Sequence, residues 1–182
     1  KQVLGHPWVL VGEDKMSKSK GNVIYADELA NRYTADAVRY YLLSEIPFTQ
    51  DGTITYESFI AKFNSDLANT LGNLVNRSIA MTTKYFGGKV SKSEPTEDCD
   101  HELLAAAKAT IAEYYEKMDN YHNAEAVATV MNLAKRCNKY IDETMPWALA
   151  KDETKRERLS CVLYNLLECI RLLAVMLSPV IP

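Results

Sequence analysis

Apolar residues recur at helical spacing through most of the chain beyond residue 55. The longest repeat covers 159–177, includes Leu173 and Ala174, and follows a 3.6-residue period over about five turns. Three earlier stripes keep this spacing, and they consist of Leu67, Leu71, Leu74, Val75 and Ile79, then Leu104, Ala107, Ile111, Tyr114 and Met118, then Val127, Val130, Met131, Ala134 and Ile141. These amphipathic segments predict a mainly α fold, an antiparallel helical bundle, whose first long helix ends at Gly87-Gly88.

The first third of the chain has a different pattern. Its predicted elements are, in order, a strand at 8–11, a charged loop at 13–20, connecting helices at 27–33 and 35–46, and a linker at 48–53. Thr34 is a suitable N-cap for the second of these helices, and Pro47 ends it. We therefore expect one domain to end near residue 53 (1–53) and a helical domain to occupy 54–182.

Composition narrows the class of protein. The 182 residues are 47% hydrophobic and 25% charged, with 7 Gly and 6 Pro, which is typical of a soluble globular protein and excludes collagen-like and low-complexity chains. The net charge of -3 argues against binding nucleic acid by overall charge. The charge is nevertheless uneven, because 67–93 holds four basic and no acidic residues and 94–102 holds five acidic ones. We expect a basic helix beside an acidic linker.

The cysteines and the two ends of the sequence bear on its cellular setting. Cys99, Cys137, Cys161 and Cys169 form no CxxC pair and have no histidine at metal-ligand spacing, so we expect no metal site and no disulfide, and we expect the last three to be buried. The first residues do not form a signal peptide, and Glu168 and Arg171 interrupt the longest apolar stretch. We therefore expect a cytoplasmic protein without a membrane anchor, and a segment cut at both ends from a longer chain.

The charged loop is the first candidate for chemistry. Lys15, Lys18 and Lys20 lie within six residues, interleaved with the hydroxyls of Ser17 and Ser19 and followed by Gly21. Lysine ammonium groups, hydroxyl donors and a backbone that can approach closely suit a triphosphate or pyrophosphate group. A lysine run by itself is more often a solvated surface loop.

The helices hold a second candidate. Asn73 and Arg77 are four residues apart, so their side chains are neighbours on one helix face, and this face lies away from the apolar stripe. Trp147 follows Pro146 at a junction between two helices. Amide and guanidinium groups can read base edges and an indole can stack on an unpaired base. An ordinary polar face and a tryptophan buried in the core are the alternatives.

Residues 15–19, which read KMSKS and are followed by GNV, resemble the signature loop of class I aminoacyl-tRNA synthetases. Further motifs extend the resemblance to the methionyl-tRNA synthetase family along the whole chain, namely Pro47-Phe48, Asp51-Gly52, Phe63-Asn64, Asp66-Leu67 and Leu71-Gly72-Asn73-Leu74. The isoleucyl, valyl, leucyl and cysteinyl enzymes share the loop, so the loop alone does not identify the amino acid. The motifs in the helical part indicate methionine. The segment His6-Pro7-Trp8 departs from the family's His-Gly-aromatic pattern, and we interpret His6 and Trp8 as structural.

The resemblance implies roles for the loop. In the complete enzyme, methionine and ATP, accompanied by Mg²⁺, would give methionyl-adenylate and pyrophosphate, and methionine would then pass to tRNA(Met). Lys18 would be the main catalytic residue and Lys15 a lesser one, and the ATP-binding residues would be Lys15, Met16, Ser17, Lys18 and Ser19. The chain lacks the glycine-rich turn and the HIGH-type histidine pair of the missing catalytic half. We expect the chain alone to be inactive and to hold no bound cofactor.

The resemblance also implies that Asn73, Arg77, Pro146 and Trp147 recognise the CAU anticodon. Nothing around His101 or His122 indicates acid–base chemistry, since neither has a carboxylate or cysteine at a suggestive spacing. A different class of protein remains as the second hypothesis, a noncatalytic RNA-binding or scaffold module in which the lysine loop is a vestige.

Overall fold

The structure, a computed structural model, describes residues 3, 5–12 and 14–182. Residues 1, 2, 4 and 13 lie outside the described residues, and with them the first residue of the charged loop predicted at 13–20. The strands are β1 (Val9–Val11), β2 (Asp14–Lys15) and β3 (Gly52–Ile54). The α-helices are α1 (Ala26–Tyr33), α2 (Ala35–Glu45), α3 (Tyr56–Lys62), α4 (Asn73–Phe86), α5 (Asp98–Asp119), α6 (Asn123–Thr144), α7 (Pro146–Leu149) and α8 (Arg156–Leu177).

Three short strands in the described part of the chain form one sheet in the order β2-β1-β3. β1 pairs antiparallel with β2, which follows it in sequence, and parallel with β3, so that Val9 lies opposite Gly52. The prediction of a linker at 48–53 was therefore wrong for its last two residues, and Lys15 belongs to a strand and not to a loop. A strand of three residues shows no detectable periodicity, and its pairing partner here is distant in sequence.

A small core forms beside this sheet. Its buried residues come from α1, α2, β3 and α3, and they are Leu29, Ala37, Val38, Tyr41, Ile54 and Phe59. Thr34 caps α2 as predicted, because its hydroxyl accepts a hydrogen bond from the Ala37 amide at 3.4 Å. The Tyr41 hydroxyl lies 2.6 Å from that of Ser58 on α3, which attaches the start of the long helix to this core.

The first long helix is continuous in the chain but changes its winding. α3 begins at a capping box formed by Thr55 and Ser58, a π-helical segment follows at Phe63–Gly72, and α4 completes the helix. The predicted apolar stripe does reach the core at Leu67, Leu71 and Leu74. It was wrong at Ile79, which is 52% exposed, and its regular 3.6-residue period does not hold in the π-helical segment. α4 does end at Gly87, which adopts a left-handed backbone with φ 62°.

The four helices α4, α5, α6 and α8 pack as the predicted helical bundle. Leu74, Val130, Leu163 and Leu173 are fully buried in its core. On α5 the most buried apolar side chain is Leu103 and not Leu104, and Ala174 on α8 is exposed, so two positions of the predicted stripes were wrong. Since a helix period of 3.6 gives only an approximate phase, errors of one residue at the edge of a stripe are expected.

The burial of three cysteines was predicted correctly. Cys137, Cys161 and Cys169 are buried, and within the described residues, which include all four cysteines, every thiol is free. One described helical stretch, Glu153–Leu177, is long and apolar enough to cross a membrane, with half of its most apolar window buried in the bundle. Buried core helices of globular proteins meet the same criteria.

Candidate functional site

The lysine loop is a closed turn that Asn22 holds together. Lys18–Lys20 form one turn of 3-10 helix, which ends at Gly21 with a φ of 67°. The Asn22 side chain accepts a hydrogen bond from the Ser17 amide at 2.8 Å and donates one to the Lys15 carbonyl at 3.3 Å. Two bonds from one side chain thus join the end of β2 to the turn, and they determine where Lys18 leaves the backbone.

The three lysines have different surroundings. The Lys15 ammonium lies 4.4 Å from the centre of the Trp8 ring, a cation–π contact. The Lys20 ammonium pairs with the Asp14 carboxylate at 3.1 Å. Lys18 is exposed and forms no ion pair with any described residue. Of the three, Lys18 is therefore the ammonium most available to a phosphate group.

The rest of the loop divides between packing and polar contacts. Met16 is half-buried and packs against the small core beside the sheet. The hydroxyls of Ser17 and Ser19 lie 2.8 Å apart at the exposed side of the turn. The sequence therefore places the apolar residue of the loop inward and the hydroxyls and Lys18 outward, an arrangement that presents hydrogen-bond donors to solvent.

The second site lies on the bundle, where α4, α6 and α7 meet. The Arg77 guanidinium is 5.8 Å from the centre of the Trp147 ring and donates to the Asp142 carboxylate at 3.1 Å. Trp147 is 42% exposed, whereas Pro146 at the start of α7 is buried and fixes the turn that presents it. The fold thus brings together Arg77 and Trp147, two of the predicted site residues, and leaves the Trp147 ring partly exposed.

Asn73 and Arg77 share one face of α4 but differ in exposure. Asn73 is exposed at the first residue of α4, so its amide is free to meet a ligand. The Arg77 side chain is only 30% exposed, because Trp147 and Asp142 lie against it. This face of α4 is therefore open at Asn73 and partly covered at Arg77.

Sequence reasoning missed several residues at the two sites. Trp8 was interpreted as structural, yet it contacts Lys15, and the roles of Asn22 and Asp142 were not foreseen. Arg77 and Asp142 are 65 positions apart, so no local pattern joins them. His122 lies 3.3 Å from the Glu125 carboxylate, which corrects the view that it has no acidic neighbour. The only feature of the sequence that could have indicated the role of Asn22 is its position directly after Gly21.

The charge and the potential metal ligands around the two sites limit what they can bind. The described residues include no cluster of three or more His, Cys, Asp or Glu side chains that could hold a metal ion. At the lysine loop, Lys15 and Lys18 leave an excess of positive charge, because Asp14 offsets only Lys20. The lysine loop therefore suits a phosphate group better than a cation.

Comparison with known proteins finds similar sequences and structures along almost the whole chain. Residues 1–79 match the family model described as tRNA synthetases class I (M), and residues 100–182 match the model for the anticodon-binding domain of tRNA ligase. Methionine–tRNA ligase of Clostridium perfringens is 54% identical over 98% of this chain, and that of Bacillus subtilis is 48% identical over 98%. The structure of Mycobacterium tuberculosis methionyl-tRNA synthetase in complex with methionyl-adenylate superimposes with a TM-score of 0.92 at 35% identity, covering 97% of this chain and 35% of that one.

The signature loop next to a small sheet and the helical bundle that follows define a class I aminoacyl-tRNA synthetase, and the chain belongs to that class. The similar proteins above all have methionine as the amino acid in their names. Within the class, the chain belongs to the methionyl-tRNA synthetase family. It spans about 28% of the length of the Clostridium perfringens relative and 27% of the Bacillus subtilis one.

Proposed function

We propose that this chain is the part of a methionine–tRNA ligase that supplies the signature loop and reads the anticodon. Residues 1–53 would end the catalytic domain and residues 54–182 would form the anticodon-binding domain. The observation that carries the proposal is the presence, in one chain of this family, of an exposed Lys18 in a closed turn and of Arg77 against a partly open Trp147. The whole enzyme would work in the cytoplasm.

The loop would act in the first step of the reaction. The methionine carboxylate attacks the α-phosphate of ATP, the bond to the bridging oxygen breaks, and pyrophosphate leaves with the added negative charge. A lysine next to the leaving phosphates stabilises this charge more in the transition state than in the ground state. Lys18 would do so, and Lys15 would contribute less because its ammonium also contacts Trp8. Mg²⁺ would enter as part of the substrate, bound to ATP.

The remaining loop residues would bind ATP without reacting. Ser17 and Ser19 have hydroxyls on the exposed side of the turn, where they can donate to phosphate oxygens. Met16 would keep the turn attached to the protein through its half-buried side chain. Since the glycine-rich turn and histidine pair of the family are absent from this sequence, the chain alone would not aminoacylate.

The bundle would recognise the CAU anticodon of tRNA(Met). The exposed face of Trp147 would stack on an unpaired base, an interaction worth about 1 to 3 kcal/mol. Asn73 offers a donor and an acceptor, and Arg77 a planar set of donors, for the edges of the bases. The ion pair with Asp142 holds the Arg77 guanidinium in place while part of it stays exposed.

Binding of RNA stem-loops to this chain tests the proposal. We expect a stem-loop with a CAU anticodon to bind more tightly than one with a scrambled loop, by about tenfold or more. Trp147→Ala should weaken the CAU complex by about fivefold or more, since a stacked base is lost. Val175→Ala, which also removes an exposed apolar side chain from the bundle, is the matched control. Equal affinity for both loops would refute anticodon recognition.

A further inference from the structure

The π-helical segment ends directly before Asn73, which we propose reads a base. The backbone N–H of Asn73 donates to the carbonyl of Ala68, five residues earlier, and also to that of Thr70. Asn73 is therefore the last residue whose backbone bond belongs to the wider winding. A π-helix turns through a smaller angle per residue than an α-helix, because it contains more residues per turn. The winding thus sets the direction in which the Asn73 side chain leaves the helix axis relative to α3.

Gly72 fits this winding by having no side chain. A Cβ atom added to Gly72 would lie 2.9 Å from the backbone carbonyl oxygen of Leu67. The obstructing atom belongs to the backbone, so a rotamer change elsewhere cannot relieve the contact. Any larger residue at position 72 must change the winding itself, and it would do so directly before Asn73.

Side chains on two helices hold the segment in this conformation. The Thr70 hydroxyl donates to the Ser65 carbonyl at 2.7 Å, within the segment. From α6, the Asn138 amide donates to the Thr70 carbonyl at 3.0 Å and to the Ala134 carbonyl at 3.2 Å. Both bonds need the nitrogen, which determines the orientation of the amide, and its oxygen finds no partner among the described residues. The side-chain oxygen of Asn138 thus stays unpaired while the side-chain nitrogen donates to the Thr70 carbonyl.

One helix, α6, contacts both the backbone before Asn73 and the side chain of Arg77. Asn138 and Asp142 are one turn apart on α6, where the first bonds the segment before Asn73 and the second pairs with Arg77. α6 is therefore a common support, and it holds the α4 face that carries Asn73 and Arg77 in position relative to Trp147. Hydrogen bonds to base edges discriminate only when donors and acceptors are correctly placed, so this support bears on specificity.

We propose that Asn138, together with Gly72, is a positioning residue for anticodon recognition, which acts by holding the π-helical turn that orients Asn73. The inference rests on the proposed anticodon site. It predicts an effect on discrimination between bases, whereas a merely structural residue would change stability and would affect all RNA ligands alike.

The experiment measures dissociation constants of the full chain for a CAU stem-loop and for loops with one anticodon base changed. Asn138→Ala should lower the ratio of cognate to noncognate affinity by about tenfold, the usual value of a lost specific base contact. Gly72→Ala and Thr70→Val should lower the same ratio, since each disturbs the winding from another side. Asn132→Ala, at an exposed asparagine of α6, is the matched control and should leave the ratio unchanged.

A double-mutant cycle separates positioning from general damage. Once Asn73→Ala has removed the group that is being positioned, adding Asn138→Ala should lower the ratio no further. Circular dichroism and thermal unfolding identify any variant that does not fold, and Thr70→Val then provides the test without a change in α6. If the wild-type chain does not discriminate, the proposed function fails. If it discriminates and folded Asn138→Ala or Thr70→Val keeps the full ratio, this inference alone is overturned.

Discussion

At the scale of single residues, the same amino acid takes different roles according to its neighbours. The three lysines of the signature loop show this, because Trp8 contacts Lys15, Asp14 neutralises Lys20, and Lys18 stays exposed. An ammonium that is already paired gains less from a phosphate than one that is solvated only by water. The surroundings therefore rank the lysines in a way that their spacing in the sequence cannot.

This ranking predicts the effects of substitutions in the longer protein that contains the chain. Lys18→Ala should slow adenylate formation by about a hundredfold, corresponding to the loss of about 3 kcal/mol of transition-state stabilisation, with little change in ATP binding. Lys20→Ala, in the same turn, should change the rate by less than about fivefold. Methionine-dependent exchange of pyrophosphate into ATP measures both. An exchange rate that survives Lys18→Ala would assign the charge to another residue.

At the scale of elements, local residue choices decide where helices start and stop. Thr34 and Thr55 cap α2 and α3, and Gly87 ends α4 in a left-handed conformation with φ 62°. Such ends were accessible from the sequence, because a cap depends on only a few neighbouring residues. The π-helical segment was not, because it depends on Asn138 from α6 as well as on its own residues.

The left-handed backbone of Gly87 at the end of α4 leads to a prediction about stability. Gly87→Ala should lower the free energy of unfolding by about 1 kcal/mol, because a Cβ atom is disfavoured at positive φ. Gly87→Asn should be tolerated better, since asparagine adopts the left-handed conformation more readily than alanine. Urea denaturation followed by circular dichroism compares the two variants. Equal stabilities for Ala and Asn at this position would show that backbone strain is not the cause.

At the scale of the whole molecule, one buried carboxylate joins three helices and the linker. Asp100, fully buried near the start of α5, accepts hydrogen bonds from the Tyr140 hydroxyl, from Arg158 at 2.6 Å, and from the Thr96 and Glu97 amides. Burial by itself would raise the pKa of the Asp100 carboxyl, but these donors hold the pKa well below its ordinary value. The contacts join the acidic linker, α6 and α8 around a single charge.

Removal of this charge should destabilise the bundle. Asp100→Asn leaves the Arg158 guanidinium, whose side chain is 13% exposed, with the exposed Glu97 as its one counter-charge among the described residues. We expect a loss of about 3 kcal/mol in the free energy of unfolding, as is usual when one partner of a buried ion pair is removed. Asp98→Asn makes the same charge change at an exposed position of α5 and should cost less than about 0.5 kcal/mol.

The same carboxylate makes stability depend on pH. Because the pKa of Asp100 is lower in the folded than in the unfolded chain, its contribution is complete above the ordinary pKa of 3.8 and is lost as the pH falls below that value. The wild-type chain should therefore lose stability steeply below about pH 4, and Asp100→Asn should show a shallower slope. Thermal unfolding at pH 3 to 6 compares them, and parallel curves would assign the acid sensitivity to other groups.

The sequence by itself determined the helical class of the chain, the approximate limits of its helices, the burial of three cysteines and the signature motif. These features depend on periodicity, caps and short runs of residues, all of which act between neighbours in the chain. The tertiary structure decided that β3 pairs with β1, that Lys15 meets Trp8, and that Asn138 bonds Thr70 at a separation of 68 positions. Contacts over such separations exist only after the bundle has packed, because folding alone brings the two partners within hydrogen-bonding distance.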